Sequence, residues 1–223
     1  MFGENQNKLL WEIEELAPDI IIITGDLIDR RRYDLDAAML FIDGAMEIAP
    51  IYYVSGNHEA WSNNYENIVQ RLSNAGVEIL DDKKMQLEIG ESTIEILGLS
   101  DPAFLTSKYA EGTDTSRLVE QLNRLSDNLV FQILLSHRPE FFDLYADANM
   151  DIIFSGHAHG GQFRIPFIGG LVAPNQGIFP KYVDGVHTRN GSTMFISRGL
   201  GNSIVPIRIC NRPEIIAVTF QIQ

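Results

Sequence analysis

A chain of 223 residues that is 45% hydrophobic and 21% charged has the composition of a globular protein of one large or two small domains. Its net charge of −13 excludes broad affinity for nucleic-acid backbones, although an acidic protein can still act on phosphates where its carboxylates hold cations that reverse the local sign. The single cysteine, Cys210, excludes an internal disulfide and a thiolate zinc site and reads as a buried or inert thiol, so any metal site must be built from His, Asp, Glu and Asn.

The polar start, residues 1–8, and the lack of any apolar run near 20 residues give no membrane span and no export signal. Leu9, Leu10, Ile13 and Leu16 then share one helical face before Pro18, and the run 20–23 reads as a buried strand. Helical spacing over 35–48 leads into a second strand, 51–54, and 65–75 is helical again. Residues 85–89 and 93–99 flank Gly90, Glu91 and Ser92 as a hairpin, and 118–125 returns to helical spacing. Strands follow at 130–135 and 152–154. Beyond Gly156 the pattern changes to short strands between Gly, Pro and Asn, the clearest at 194–196 and 215–220. This alternation predicts a sheet with helices on its faces, and without repeat or linker it predicts one continuous domain over 1–223.

Four of these strands end alike. The first runs through Thr24 into Gly25 and Asp26, and the second through Ser55 into Gly56, Asn57, His58 and Glu59. The strand at 130–135 runs into Ser136 and His137; the strand at 152–154 runs into Gly156, His157, Ala158, His159, Gly160 and Gly161. In open α/β sheets ligands sit where such loops converge. Each motif has a plain alternative: Asp26 as a turn or helix cap, His137 as a core histidine, Glu59 as a helix-start carboxylate. Taken together, Asp, Asn and three His supply the hard oxygen and borderline nitrogen donors suited to manganese, iron or zinc.

These blocks resemble four of the five signature blocks of the calcineurin-like metallophosphoesterases, in order from Thr24 to Gly161. The resemblance implies a four-layer αββα sandwich and a phosphomonoester or phosphodiester hydrolase using two divalent cations. Asp26 would bridge both; Asn57, His137 and His157 would complete the second cation's ligands, and His159 would bind the first. His58 would not bind metal but would stand by the leaving group as general acid or electrostatic partner, oriented by Glu59. Gly160, Gly161 and Gln162, the stretch Ser197, Arg198, Gly199, Leu200 and Gly201, and Arg212, Pro213 and Glu214 resemble a bacterial, often membrane-anchored subgroup. Arg198 and Gly199 would then present a guanidinium or backbone N–H groups to substrate phosphate, or else form a glycine-rich turn. Arg30, Arg31 and Arg32 read as a solvated loop, and Asp29 as either a cap or a partner of the site.

The first block of that family, an Asp-x-His, occurs nowhere in the 223 residues; the nearest string, Asp184 to His187, has the wrong spacing and reads as a turn and strand. The expectation is a domain lacking its first strand through a late start, with one cation held rather than two and impaired turnover. A non-catalytic metal-binding or regulatory protein is the alternative. A Rossmann-like nucleotide module is disfavoured, because the glycine fingerprint is absent. Apolar residues among prolines and glycines from Phe163 to Pro174, including Phe167 and Ile168, and again at Ile178 and Phe179, read either as a hairpin packed on the sheet or as a rim suited to a lipid-linked phosphate. The chain as given is expected in the cytoplasm, or at the membrane if an upstream anchor exists; oligomeric state is not set by these patterns.

Overall fold

The architecture follows from which face of each strand is apolar and what covers it. In a computed structural model of the chain, which describes residues 2–90, 92–105, 115–127, 129–165, 169–202 and 207–221, the first strands are β1 (Ile21–Ile23), β2 (Ile51–Tyr53) and β3 (Glu78–Ile79). They form a parallel sheet in the order β1-β2-β3, with Ile21 opposite Ile51 and Tyr52 opposite Glu78. Side chains alternate across a strand, so Ile21, Ile23, Ile51 and Tyr53 face one way and Ile22 and Tyr52 the other. The first set packs against α2 (Leu35–Met46) and α4 (Tyr65–Asn74) through Leu35, Met39, Ile42, Ile68 and Leu72. Leu10 of α1 (Asn7–Leu16) joins that layer, and Leu9 and Ile13 are buried. Leu16 is half exposed, because the chain turns away at Ala17 in a left-handed conformation.

A second sheet of six strands carries the order β12-β13-β7-β6-β5-β4. Its members are β4 (Lys83–Ile89), β5 (Ser92–Gly98), β6 (Phe131–Leu135), β7 (Ile152–Ser155), β12 (Gly185–Arg189) and β13 (Ser192–Ile196). The hairpins β4/β5 and β12/β13 are antiparallel, and β5, β6, β7 and β13 run parallel. Ile94, Ile96, Ile133, Leu135, Ile152 and Phe154 meet Ile20, Ile22, Tyr52 and Val54 of the first sheet in the space between the two. Leu97, Leu134, Ile153, Met194 and Ile196 face outward onto α5 (Ser116–Leu125) and α6 (Phe142–Asp147), through Leu118, Leu122, Phe142 and Tyr145. Helix, sheet, sheet, helix is therefore the layer order, as the resemblance implied.

Some expectations are corrected. The segment 215–220 alternates apolar residues like a strand, yet its backbone forms no ladder; Phe220 instead sets its ring edge-on against Phe131, 6.3 Å between centroids. Cys210 is exposed rather than buried. Between β7 and β12 lie two ribbons, β8 (Arg164–Ile165) with β9 (Gly169–Gly170) and β10 (Val172–Ala173) with β11 (Gly177–Ile178); Phe167 and Ile168 fall outside the described residues, as does Glu91. Among the described residues no helix is long and apolar enough to cross a membrane.

Candidate metal centre

Parallel strands deliver their carboxyl ends to one edge of the molecule, and the loops after β1, β2, β6 and β7 carry the polar residues the sequence singled out. The turn after β1 is tight: Gly25 has φ +89, and a side chain there would collide with the backbone of Ser55 and Gly56. That turn places Asp26 in a left-handed conformation, φ 53, which a short polar side chain tolerates. A side chain on Gly56 would in turn strike the Asp26 carboxylate and the His137 ring. The two loops interlock because both glycines lack a Cβ.

Glu59 fastens this interlock. Fully buried in the short helix α3 (Asn57–Ala60), its carboxylate accepts N–H bonds from Asp26 at 2.8 Å, Gly56 at 2.8 Å and Ile28 at 3.2 Å. Burial and the nearby Asp26 carboxylate push its pKa up to about 7, against the pull of those backbone donors. The expectation that Glu59 orients His58 is corrected: the group beside the His58 ring is Asp29, whose Oδ1 lies 3.5 Å from Nδ1, while the Arg30 N–H reaches the same nitrogen at 3.3 Å. Asp29 also caps the local turn, accepting the Arg31 N–H at 2.9 Å. The Arg30 guanidinium lies over the Trp61 ring at 4.7 Å instead of standing in solvent.

Three side chains, Asn57, His137 and His157, meet Asp26. His137 Nε2 lies 3.3 Å from Asp26 Oδ2, 3.2 Å from Asn57 Oδ1 and 3.0 Å from His157 Nδ1. On its other side His137 Nδ1 is 2.6 Å from the carbonyl of Thr24, which can only accept, so Nδ1 carries a proton and Nε2 is the atom free to bind a cation. Asp26, His137 and His157 offer ligand atoms all within 4.8 Å of one another. Burial would lower the His137 pKa, but the Asp26 carboxylate outweighs it and raises it to about 9; reciprocally, the surrounding histidines hold Asp26 well below the carboxylate range against burial. His157 is pushed down by burial, by Arg138 and by His137. One carboxylate, one amide oxygen and two imidazoles converging in a desolvated site fit a divalent transition metal.

His159, in a left-handed turn with φ 48, stands outside that cluster. Burial lowers its pKa to about 4 although Asp26 opposes this, and its Nδ1 is buried without a hydrogen-bond partner. Arg198 is occupied: its guanidinium binds the Glu214 carboxylate, with Nε at 2.7 Å, and its N–H donates to the same carboxylate at 3.0 Å. The Gly199 N–H donates to Ser197 Oγ.

Sequence reasoning missed the groups behind His157. Arg138, 5% exposed, makes a two-point ion pair with Asp101, Nε to Oδ2 at 2.6 Å and Nη2 to Oδ1 at 2.9 Å, and turns Nη1 to His157 Nε2 at 3.3 Å. Glu140 and Asn175 close the same pocket. The available signal was position: Arg138 follows a candidate ligand, and Asp101 ends β5 as the other site residues end their strands.

Comparison with known proteins shows the family and the fold. The sequence model for the calcineurin-like phosphoesterases matches residues 4–161. The uncharacterized metallophosphoesterase YkuE of Bacillus subtilis is 30% identical over 98% of this chain and 73% of its own length. The phosphodiesterase YaeI of Escherichia coli is 26% identical over 90% of this chain and 70% of its own. Among solved structures, TT1561 of Thermus thermophilus superimposes with a TM-score of 0.57 at 13% identity, covering 86% of this chain and 84% of that one. The phosphopantetheinyl hydrolase of Mycobacterium tuberculosis gives 0.52 at 16%, covering 87% and 84%; at such identities the likeness is one of fold.

Proposed function

The chain belongs to the calcineurin-like phosphoesterase family, and from that premise we propose that it hydrolyses phosphomonoesters or phosphodiesters at a cation held by Asp26, Asn57, His137 and His157. The observation that carries this reading is the convergence of Asp26 Oδ2, Asn57 Oδ1 and His157 Nδ1 within 3.3 Å of His137 Nε2. A divalent cation there supplies Lewis-acid polarisation of the phosphoryl group and an acidified water. Manganese, iron and zinc all suit the donors.

The chain's own residues divide the remaining work. Asp26 and His159 would be the donors for a second cation, which two protein ligands would hold weakly. One retained cation and slow turnover are the consequence for these 223 residues. His58, whose Nδ1 accepts the Arg30 N–H with Asp29 Oδ1 3.5 Å away, keeps Nε2 for the leaving oxygen as general acid. Arg198 and Gly199 would contact substrate only by exchanging Glu214 and Ser197 for a phosphate oxygen. Exposed Ile178 and Phe179, on and just after β11, favour a lipid-linked phosphoester over a soluble one.

The short ligand set at His159 supports a second reading, a metal-binding protein without turnover. Hydrolysis of bis-nitrophenyl phosphate decides between them. Manganese-dependent release of nitrophenol, absent in His157→Ala, is expected of the enzyme; bound manganese with no release above buffer would establish the binder.

A further inference from the structure

Arg208 reaches the site from far along the chain because the segment 207–211 is laced to the loop after β7. The Ile209 carbonyl accepts the Arg164 N–H at 3.0 Å, and the Ile207 carbonyl accepts from Gln162 Nε2 at 3.3 Å. Asn211 Nδ2 donates to the carbonyls of His159 at 2.6 Å and Gln162 at 3.2 Å. These bonds on both sides of position 208 hold its backbone beside His159, and the guanidinium lies near enough for its charge to act on that ring. A side chain on Gly199 would begin 3.9 Å from Arg208 Nη2, so the glycine-rich turn 197–201 forms the neighbouring wall.

That guanidinium is short of acceptors. Nη2 donates to the Gly201 carbonyl, but Nε and Nη1 are buried without a partner. An arginine keeps its charge, and desolvated N–H groups with nothing to accept them are costly. The nearby carboxylates are already engaged. Glu214 takes Arg198 Nε at 2.7 Å and the Arg198 N–H at 3.0 Å, and Asp184 pairs with Arg164 at 2.7 Å. Three guanidinium groups, of Arg164, Arg198 and Arg208, thus stand against two carboxylates, a local positive excess in a chain whose net charge is −13. An anion with several acceptor oxygens would balance it. We propose that Arg208 is a substrate-binding residue whose Nε and Nη1 donate to non-bridging oxygens of the phosphoryl group, on the His159 side of the cation. Among the described residues its anchor is the Gly201 carbonyl, so the side chain can turn to meet an arriving ester without breaking an ion pair. The role the sequence offered to Arg198 and Gly199 falls to Arg208, whose donors exchange no carboxylate.

This inference rests on the phosphoesterase reading, and inorganic phosphate separates the two claims. Phosphate binding would be followed by paramagnetic 31P relaxation on manganese-loaded, desalted wild type, Arg208→Ala and Arg208→Lys, with bound manganese measured on each sample. Arg189→Ala, on β12 and paired with Asp143, controls for the loss of one positive charge. Arg208→Ala should retain the metal and bind phosphate about 10- to 100-fold more weakly. Arg208→Lys, which keeps the charge but not the fork, should fall between, and Arg189→Ala should match the wild type. Binding by Arg208→Ala within about twofold of wild type, an equal loss in Arg189→Ala, or loss of manganese together with phosphate overturns the role of Arg208. Wild-type protein that holds no manganese, or holds it and relaxes no phosphate, overturns the phosphoesterase reading and this inference with it. If the Ala variant does not fold, Arg208→Lys decides: weakened phosphate binding with manganese retained supports the role, and wild-type binding overturns it.

Discussion

Glu59 and Asp26 are joined by a 2.8 Å hydrogen bond from the Asp26 N–H to Glu59 Oε2, the same oxygen that takes the Gly56 N–H, so one buried carboxylate clamps two loops from different strands. Glu59→Gln retains an oxygen for one side of the clamp but turns an NH2 group toward donors on the other. Leaving a buried N–H without an acceptor costs about 1–3 kcal/mol. Urea unfolding of the metal-free protein should show a loss of that size; an unchanged midpoint would show that the clamp is not holding the loops.

Gly56→Ala tests the close approach of those loops. The added methyl would meet the Asp26 carboxylate and lie 2.9 Å from the His137 ring, so the loop, not merely a flexible side chain, must move. A loss of about 1–3 kcal/mol is expected, together with weaker manganese retention. A variant with wild-type stability and metal content would mean the interlock is looser than the structure indicates.

Much of this arrangement was legible in the sequence because strand ends repeat a local pattern. Asp26, Asn57, His137 and His157 each follow an apolar run and a small residue, and parallel strands bring such ends together whatever lies between. The groups that were missed act across long separations: Asp101 and Arg138 are paired although 37 residues apart, and His58 is partnered by Asp29 rather than its neighbour Glu59. Neighbourhood in sequence misled there, since Glu59 turns into the core to meet backbone donors. Segment 215–220 failed for another reason. Its residues suit a strand, but propensity makes a strand only where a partner edge receives it.

His58→Ala should slow bis-nitrophenyl phosphate hydrolysis about 100-fold or more while leaving bound manganese unchanged, as expected of a general acid that is not a ligand. Asp29→Asn should reproduce part of the loss through misorientation of the ring. Rates and metal content measured on the same preparations check this; parallel loss of both would assign His58 to the metal site.

The proposed preference for a lipid-linked substrate rests on the exposed apolar side chains of Ile178, 74% exposed, and Phe179, 63% exposed. Their joint replacement by Ser should lower the specificity constant for an acylated phosphoester about tenfold, in line with roughly 1.4 kcal/mol of lost apolar contact, and leave bis-nitrophenyl phosphate unaffected. Equal constants for acylated and non-acylated substrates in the unsubstituted protein, below the lipid's aggregation concentration, would remove the case for a lipid.

The account stands on a cation gathered around His137 Nε2, and elemental analysis of manganese-loaded, desalted protein tests it most directly. The wild type should retain about one manganese per chain, and His137→Ala close to none, because the ring fixed by the Thr24 carbonyl is the common neighbour of the other three donors. Wild-type protein without retained metal, or His137→Ala with as much as wild type, would contradict the assignment.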